Sequence, residues 1–289
     1  MKIKAYTLNS FAKSLNGGNP AAVVLDADNL LEEQMKKIAS IIGFSETAFV
    51  MNSKSADFKV RFFTPNEEVN LCGHATIATF SLLAMKKIIG VGKYTQETKA
   101  GILKVEVRED LSIMMDQNLP TYFEIVDKEK IAKTLNIDID SFVENLPIQI
   151  VSTGLRDIII PLKNKEMLES IKPNFNSIAK LSKEYSVIGY HIFTLESLDD
   201  EIIHCRNLAP LYGIDEESAT GTSNGALSCY LFKYKRLNSN QLSNIVIKQG
   251  YLMGKPSEII VNLEVKNNKI IGVKVGGSTL NLEEIEVEI

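Results

Sequence analysis

Gly43-Phe44-Ser45-Glu46-Thr47-Ala48-Phe49-Val50, followed by Arg61-Phe62-Phe63-Thr64-Pro65 and Cys72-Gly73-His74-Ala75-Thr76, returns in altered form later in the chain. The second copy reads Gly189-Tyr190-His191-Ile192-Phe193-Thr194-Leu195, then Arg206-Asn207-Leu208-Ala209-Pro210, then Ala219-Thr220-Gly221-Thr222-Ser223-Asn224-Gly225. Arg61 lies 18 positions after Gly43 and Arg206 lies 17 after Gly189, so the two copies keep nearly the same spacing. An amphipathic helical pattern precedes each copy, over Glu32–Ile42 and Ile178–Ser186, and an apolar helical run follows each. A duplicated unit of this length predicts two similar domains, so the differences between copies point to chemistry and the shared residues to the fold. The sharpest difference is Glu46, whose counterpart lies close to apolar Ile192.

The whole chain bounds the classes open to it. Its 289 residues suit two domains, each able to bury a core. With 45% hydrophobic and 24% charged residues, it has the composition of a globular protein. A net charge of −4, with Lys and Arg scattered, argues against a nucleic-acid partner. No apolar run reaches the roughly 18 residues of a membrane span, and the N-terminus alternates like a strand. The expectation is therefore a cytoplasmic protein with no membrane partner. Three cysteines (Cys72, Cys205, Cys229) and three histidines (His74, His191, His204) show neither a disulfide framework nor metal-ligand spacing. No phosphate-binding glycine motif is present. The expectation is no metal and no cofactor.

Read in order, Lys2–Leu8 and Ala21–Leu25 are strands around a turn at Asn16–Pro20. Asp28 or Asn29 is placed to cap a helix through Ile42, with Gly43 just past its end. Thr47–Met51 and Lys59–Phe63 are strands. A helix apolar nearly all round runs from Gly73 to about Ile88, which predicts a buried central position. Strands at Lys93–Thr98, Leu103–Arg108 and Ser112–Asp116 follow, and Asn118–Thr121 reads as the crossing into a second domain. That domain has helices at Lys128–Leu135, Asn164–Ser170 and Ile178–Ser186, and strands at Ile148–Ser152 and Asp157–Leu162. A second buried helix covers about Ser223 to Tyr234. Strands at Ser257–Leu263, Ile270–Val275 and Glu283–Ile289 finish an α+β chain. The predicted boundaries are residues 1–118, joined by the last strand at about 279–289, and residues 119–278.

Several residues stand out. Glu46 is either a solvated carboxylate at a strand end, or one whose apolar neighbours desolvate it and raise its pKa toward the range useful for proton transfer. Gly73 and Gly221 open the two buried helices. They either allow tight turns or let the backbone N–H groups of Gly73–Ala75 and Gly221–Ser223 hold an anion. His74, at the first of these helix mouths, is either a structural hydrogen-bonder or a neutral imidazole able to donate to a substrate oxygen or relay a proton. Glu217, Thr220 and Thr222 are the polar residues at the second mouth. Glu216 and Glu217 also suit first-turn charges that complement a helix dipole. Cys72 is either a thiol activated at a helix N-terminus or a small buried residue, and Thr220 replaces it in the second copy. Arg61 and Arg206, symmetric in both copies, are assigned to structure as an ion pair or a carbonyl cap.

At these residues the chain resembles the PhzF family of phenazine-biosynthesis-like isomerases and epimerases. The resemblance spans Gly18–Val24, Ser45–Phe49, Arg61–Pro65 with Cys72–Thr76, Thr153–Asp157, Ala219–Gly221, Gln249–Ser257 and Gly276–Ser278. It implies a diaminopimelate epimerase-like α+β fold of two pseudo-symmetric domains, each a β-barrel-like sheet around a central helix. It further implies a cofactor-independent isomerase working in a cleft between the domains, with Glu46 as general acid/base. His74, Glu217 and Thr222 would be the other catalytic residues, and Gly73, Ala75, Thr220, Gly221 and Ser223 the substrate-binding ones. A small carboxylic acid is the implied substrate and a homodimer the implied assembly. Where the family commonly has Asp-Pro-Ala-Thr-Gly-Ser-Ala-His-Gly, this chain has Glu217-Ser218-Ala219-Thr220-Gly221-Thr222-Ser223-Asn224-Gly225. The carboxylate and hydroxyl survive in altered shape. Two alternatives stay open: a racemase, epimerase or dehydratase with Cys72 as base, and a non-catalytic small-acid-binding protein.

Overall fold

A computed structural model of the chain describes residues 1–195 and 202–289, which divide into two compact units. Unit 1 comprises Met1–Asp116 with Gly276–Ile289, and unit 2 comprises Gln117–Val275. No described helix is long and apolar enough to cross a membrane.

In unit 1, strand β1 (Lys2–Ser10) pairs antiparallel with β2 (Asn19–Val24) on one side and with the last strand of the chain, Thr279–Glu288, on the other. Helix α1 (Glu32–Ile42) leads to β3 (Thr47–Met51), which runs parallel to β2 and antiparallel to β4 (Phe58–Phe63). A short β5 (Glu68–Val69) precedes helix α2 (Gly73–Met85). The chain then forms an antiparallel run of β6 (Gly92–Thr98), β7 (Gly101–Val107) and β8 (Ile113–Gln117). Every residue from His74 to Leu83 of α2 is buried, because the helix packs on β1, β2, β3, β7 and the last strand. Each fully buried Leu, Ile or Phe side chain contributes about 1.5–3 kcal/mol, so this apolar helix anchors the unit. On the opposite face of the sheet, Met35, Ile38 and Ala39 of α1 pack with Val24, Phe49 and Phe63. Alternate residues of β3 thus feed different cores: Phe49 belongs to the α1 side and Ala48 to the α2 side.

Helix α1 does not begin at Asp28 or Asn29. Residues Ala27–Asn29 form one 3₁₀ turn, and the Asp28 carboxylate is already engaged by the Asn52 backbone N–H and side-chain amide. The N-cap is Leu31, whose N–H donates to the Gln34 side chain at 2.9 Å. Gly43 does end the helix, in the left-handed conformation at φ 73°.

Unit 2 opens with β9 (Thr121–Ile125), in a stretch whose start the sequence reads only as a crossing segment. Its residues are mostly exposed and carry little strand pattern. Helix α3 (Lys128–Leu135) is capped by the Asp127 carboxylate, which accepts from the Glu129 N–H. Strand β10 (Gln149–Ser152) pairs with β9 and with β11 (Arg156–Leu162). After α4 (Lys165–Ser170) and α5 (Phe175–Glu184), β12 (Gly189–Leu195) lies parallel to β11 and antiparallel to β13 (Ile202–Ala209). A short β14 (Ile214–Glu217) leads to α6 (Gly221–Lys233). Three strands follow: β15 (Ile245–Gln249), β16 (Ser257–Lys266) and β17 (Lys269–Gly277). Helix α6 is buried from Ser223 to Leu231 against β10, β11 and β16. Like α2 it has 13 residues, and each unit is a sheet built around such a helix.

Candidate active site

Glu46 sits in the short segment between α1 and β3. Its backbone carbonyl accepts the Ala22 N–H at 3.4 Å, and Thr47 then enters the parallel pairing with Ala22. This backbone anchoring directs the side chain toward the start of α2. Its Oε2 stands 3.2 Å from Nε2 of His74, with the Glu46 side chain 20% exposed. The Ser45 hydroxyl lies 3.3 Å from the same nitrogen. His74, the second residue of α2, is tied down by Ser10, whose hydroxyl donates to the His74 carbonyl at 2.6 Å. Its Nδ1 is 3.4 Å from Sγ of Cys72 and 3.5 Å from the Asn19 amide nitrogen. Cys72 is the N-cap of α2, and the Ala75 N–H donates to its sulfur.

The functional reading of the sequence had apolar neighbours raising the Glu46 pKa and the helix terminus keeping His74 neutral. The geometry reverses both. Burial does push the Glu46 carboxyl up, but the bond to His74 and its charge outweigh it, with help from Ser45 and Cys72. The carboxyl is held below its usual range. For His74, burial pulls downward, while the Cys72 sulfur and the Glu46 carboxylate raise the imidazole well above its ordinary value. Burial pushes the Cys72 thiol up, although His74 opposes this. Glu46 and His74 therefore face each other as an ion pair beside the Cys72 sulfur.

Gly73 is not required by the turn it occupies. Its φ lies outside the left-handed region, and an added Cβ would meet only the Met115 sulfur, at 3.7 Å. The protein's own packing leaves room for a side chain at the point where α2 presents its first N–H groups.

In unit 2 the sequence-predicted residues gather at the start of α6. Thr220 is the N-cap, and its hydroxyl donates to Oε2 of Glu217 at 3.1 Å. Glu217 lies in β14 and Glu216 forks onto Arg206, so neither is a first-turn helix charge. The Gln249 amide nitrogen donates to the Glu217 carbonyl and to the Thr220 hydroxyl, while its oxygen accepts from the Thr220 N–H. Thr222 is half-buried, and its carbonyl accepts from the Thr153 hydroxyl. Ser223 points inward and donates to Asp157 at 2.7 Å.

Asp157, His191 and Asn207 form a buried polar network that the sequence reading missed. Asn207 donates to the Ser223 hydroxyl, and its amide nitrogen lies 3.1 Å from Nδ1 of His191. Nε2 of His191 lies 3.0 Å from Oδ1 of Asn224. Burial lowers the His191 pKa to about 4, so the ring is neutral, accepting from Asn207 and donating to Asn224. Burial pushes Asp157 up to about 7, against the bonds from Ser223 and the Gly189 N–H. One signal was available: Asp157 is a carboxylate at the head of the apolar run Ile158-Ile159-Ile160.

Strand register corrects the alignment of the two copies. Phe49 pairs with Arg61 in unit 1, and Ile192 pairs with Arg206 in unit 2. Counting back three residues on each strand places Glu46 opposite Gly189, and not opposite Ile192. The arginines play the same part in each unit. Arg61 forks onto Glu68, and Arg206 forks onto Glu216 while also donating to the Leu168 and Ile171 carbonyls.

Comparison with known proteins places the whole chain in one family. The family profile described as phenazine biosynthesis-like protein matches residues 8–284. An uncharacterized isomerase of Clostridium acetobutylicum is 38% identical over 96% of both chains. The trans-2,3-dihydro-3-hydroxyanthranilate isomerase of Pseudomonas chlororaphis is 28% identical over 94% of both. The crystal structure of a PhzF-family phenazine biosynthesis protein from Bacillus anthracis superposes with a TM-score of 0.89 at 33% identity, covering 100% of each chain. A match over nearly the whole length, in sequence and in fold, assigns this chain to the phenazine biosynthesis-like family of isomerases.

Proposed function

We propose that this isomerase moves a proton on a small carboxylic acid, without a cofactor, using Glu46 as general acid/base. The observation that carries the reading is the ion pair between Glu46 and His74 at the N-terminus of α2. Glu46 accepts a proton from a carbon of the substrate, and the electron pair of that C–H bond moves into an enolate or dienolate. The new Glu46 carboxyl then returns the proton to a different carbon of the same delocalised system, which regenerates the carboxylate. His74, positively charged in the free site, donates a hydrogen bond to oxygen as negative charge develops there. The N–H groups at the start of α2 add to this. In unit 2, the backbone N–H groups of Gly221, Thr222 and Ser223 at the start of α6 form an anion-binding terminus of their own, with Thr220 and Glu217 beside it. The name of the Pseudomonas relative, an isomerase of a small hydroxylated acid, supports the substrate class.

The test is solvent exchange over a panel of small unsaturated and hydroxy acids in deuterated buffer. Deuterium should enter substrate carbon with the native protein and not with Glu46→Gln, a change that keeps shape and removes the base. The expected loss is on the order of 10²–10⁴. Cys72 Sγ lies 3.4 Å from the His74 ring, against 3.2 Å for Glu46, so Cys72→Ala is the necessary companion variant. Full exchange by Glu46→Gln together with loss in Cys72→Ala would move the base to sulfur. Binding of acids without any exchange would leave a binding protein.

A further inference from the structure

We propose that Glu46, Cys72 and His74 form a three-ligand site for a thiophilic divalent cation of the zinc and cadmium class, whose binding blocks the isomerase. The inhibition rests on the function proposed above, whereas the binding does not. Among the described residues this is the one place where three His, Cys, Asp or Glu side chains converge, with all three ligand atoms within 4.8 Å of one another. The separations suit one metal. Bond lengths of about 2.3 Å to sulfur and about 2.0–2.2 Å to nitrogen and oxygen give tetrahedral edges of roughly 3.6 Å between S and N and roughly 3.4 Å between N and O. The corresponding separations are 3.8 Å from Cys72 Sγ to His74 Nε2 and 3.2 Å from that nitrogen to Glu46 Oε2.

Charge and access fit as well. A thiolate, a carboxylate and a neutral imidazole cancel the charge of a divalent ion, so the buried centre carries no net charge. Cys72 and His74 are buried, while Glu46 is 20% exposed and Ser45 is exposed, which leaves one side open for entry and for a fourth ligand from solvent. Ligation through Nε2 leaves the remaining imidazole proton on Nδ1, which faces the Asn19 amide. Turning that amide over presents its oxygen as acceptor, the usual support for a ligating histidine. The matching positions in unit 2, Gly189, Thr220 and Thr222, cannot supply such a set. The centre therefore belongs to the base-bearing copy alone.

Ligation needs Cys72 as thiolate and Nε2 of His74 without its proton. A bound ion holds the Glu46 oxygen and occupies the place where substrate carbon would approach, so it competes with catalysis.

The experiment is a titration of chelator-washed protein with cadmium, followed by the ultraviolet thiolate-to-metal charge-transfer band. The expected result is one saturating equivalent and a band lost in Cys72→Ser but kept in Cys229→Ser. The native protein supplies a second reading that does not depend on variant folding. Cadmium or zinc should shield Cys72 from slow alkylation, as seen by peptide mass spectrometry, and a chelator should remove the shield. No band at one equivalent, a band that persists in Cys72→Ser, or Cys72 alkylation unchanged by metal would overturn the site. With the site saturated, substrate exchange should fall at least 10²-fold, the lower end of what a general base contributes. Undiminished exchange would overturn the inhibition. Because cadmium binding is read without substrate, it can hold even if Glu46→Gln proves to have no effect on exchange.

Discussion

Gly189, the first residue of β12, stands in unit 2 where Glu46, the residue just before β3, stands in unit 1, each three residues before the partner of the arginine that both copies carry. The duplicated strand cannot carry the base twice. A Cβ on Gly189 would lie 2.0 Å from the Leu208 carbonyl oxygen and 2.9 Å from its carbon, both backbone atoms. The antiparallel partner β13 thus excludes any side chain there, and the asymmetry of the two copies has a steric cause.

Gly189→Ala should therefore destabilise the protein despite adding a single methyl group. Overpacking against immobile backbone costs about 1–3 kcal/mol or more. Gly43→Ala meets no atom within 4 Å but must hold a left-handed φ of 73°, and it should lose only about 1 kcal/mol from backbone strain. Urea unfolding of the two variants tests the ranking. Equal losses would remove the steric account of Gly189.

Arg206→Ala should cost more than Arg61→Ala. The Arg206 side chain is 10% exposed and its partner Glu216 is 15% exposed, and it also satisfies the Leu168 and Ile171 carbonyls. Breaking such a buried pair costs about 3–5 kcal/mol. Arg61 is 20% exposed, and its partner Glu68 keeps Lys99 at 2.5 Å after the substitution. The expected loss there is about half as large. Calorimetric melting at one pH decides between them, and a larger loss for Arg61→Ala would count against the burial argument.

Asp157 makes stability depend on pH in a definite direction. The group is fully buried, with the Ser223 hydroxyl and the Gly189 N–H on one side and the Glu217 charge raising its pKa further to about 7. Below the unfolded value of about 4 the carboxyl is protonated in both states, and its favourable burial is fully present. Between about 4 and 7 the unfolded chain loses this proton while the folded chain keeps it, so stability falls as pH rises through that window. Asp157→Asn removes the titration and should flatten that part of the profile. Its deficit against the native protein should be larger at pH 5 than at pH 8. Parallel profiles for the two proteins would show that Asp157 is ionised when folded.

The duplication, the helices Glu32–Ile42 and Lys128–Leu135, and the strand Thr47–Met51 were legible because periodicity is a local property. So was the structural role of the arginines, since only their symmetry was needed. The counterpart of Glu46 was not. The near-equal spacings of 18 and 17 hide two changes that almost cancel, a three-residue shift along the first strand and a span from Ile192 to Arg206 two residues longer than that from Phe49 to Arg61, which only the hydrogen-bond register reveals. The ion pair with His74 and the Asp157–Ser223 bond join residues 28 and 66 positions apart in the chain. No periodicity reports such contacts. Strand β14 was hidden for a different reason: Ile-Asp-Glu-Glu has poor intrinsic strand preference and is held by pairing with β13.

Gly73 allows the anion grip of α2 to be tested apart from the fold. Sulfate, phosphate or a small dicarboxylate should bind the first N–H groups of α2 and raise the melting temperature beyond what chloride does at matched ionic strength. At a hundred times its dissociation constant, such an anion contributes roughly 2.7 kcal/mol. A methyl group at Gly73 meets only the Met115 sulfur at van der Waals distance, and its backbone is not left-handed. Gly73→Ala should therefore fold with undiminished stability in chloride, since alanine is the better helix former. The same methyl group would crowd an anion seated on the N–H groups, so the shift caused by sulfate should shrink by half or more. Lys54→Ala, on an exposed turn away from these N–H groups, should leave the shift intact. If Gly73→Ala kept the full sulfate response, the anion would be binding elsewhere, and the assignment of Gly73 and Ala75 to substrate binding would fall with it.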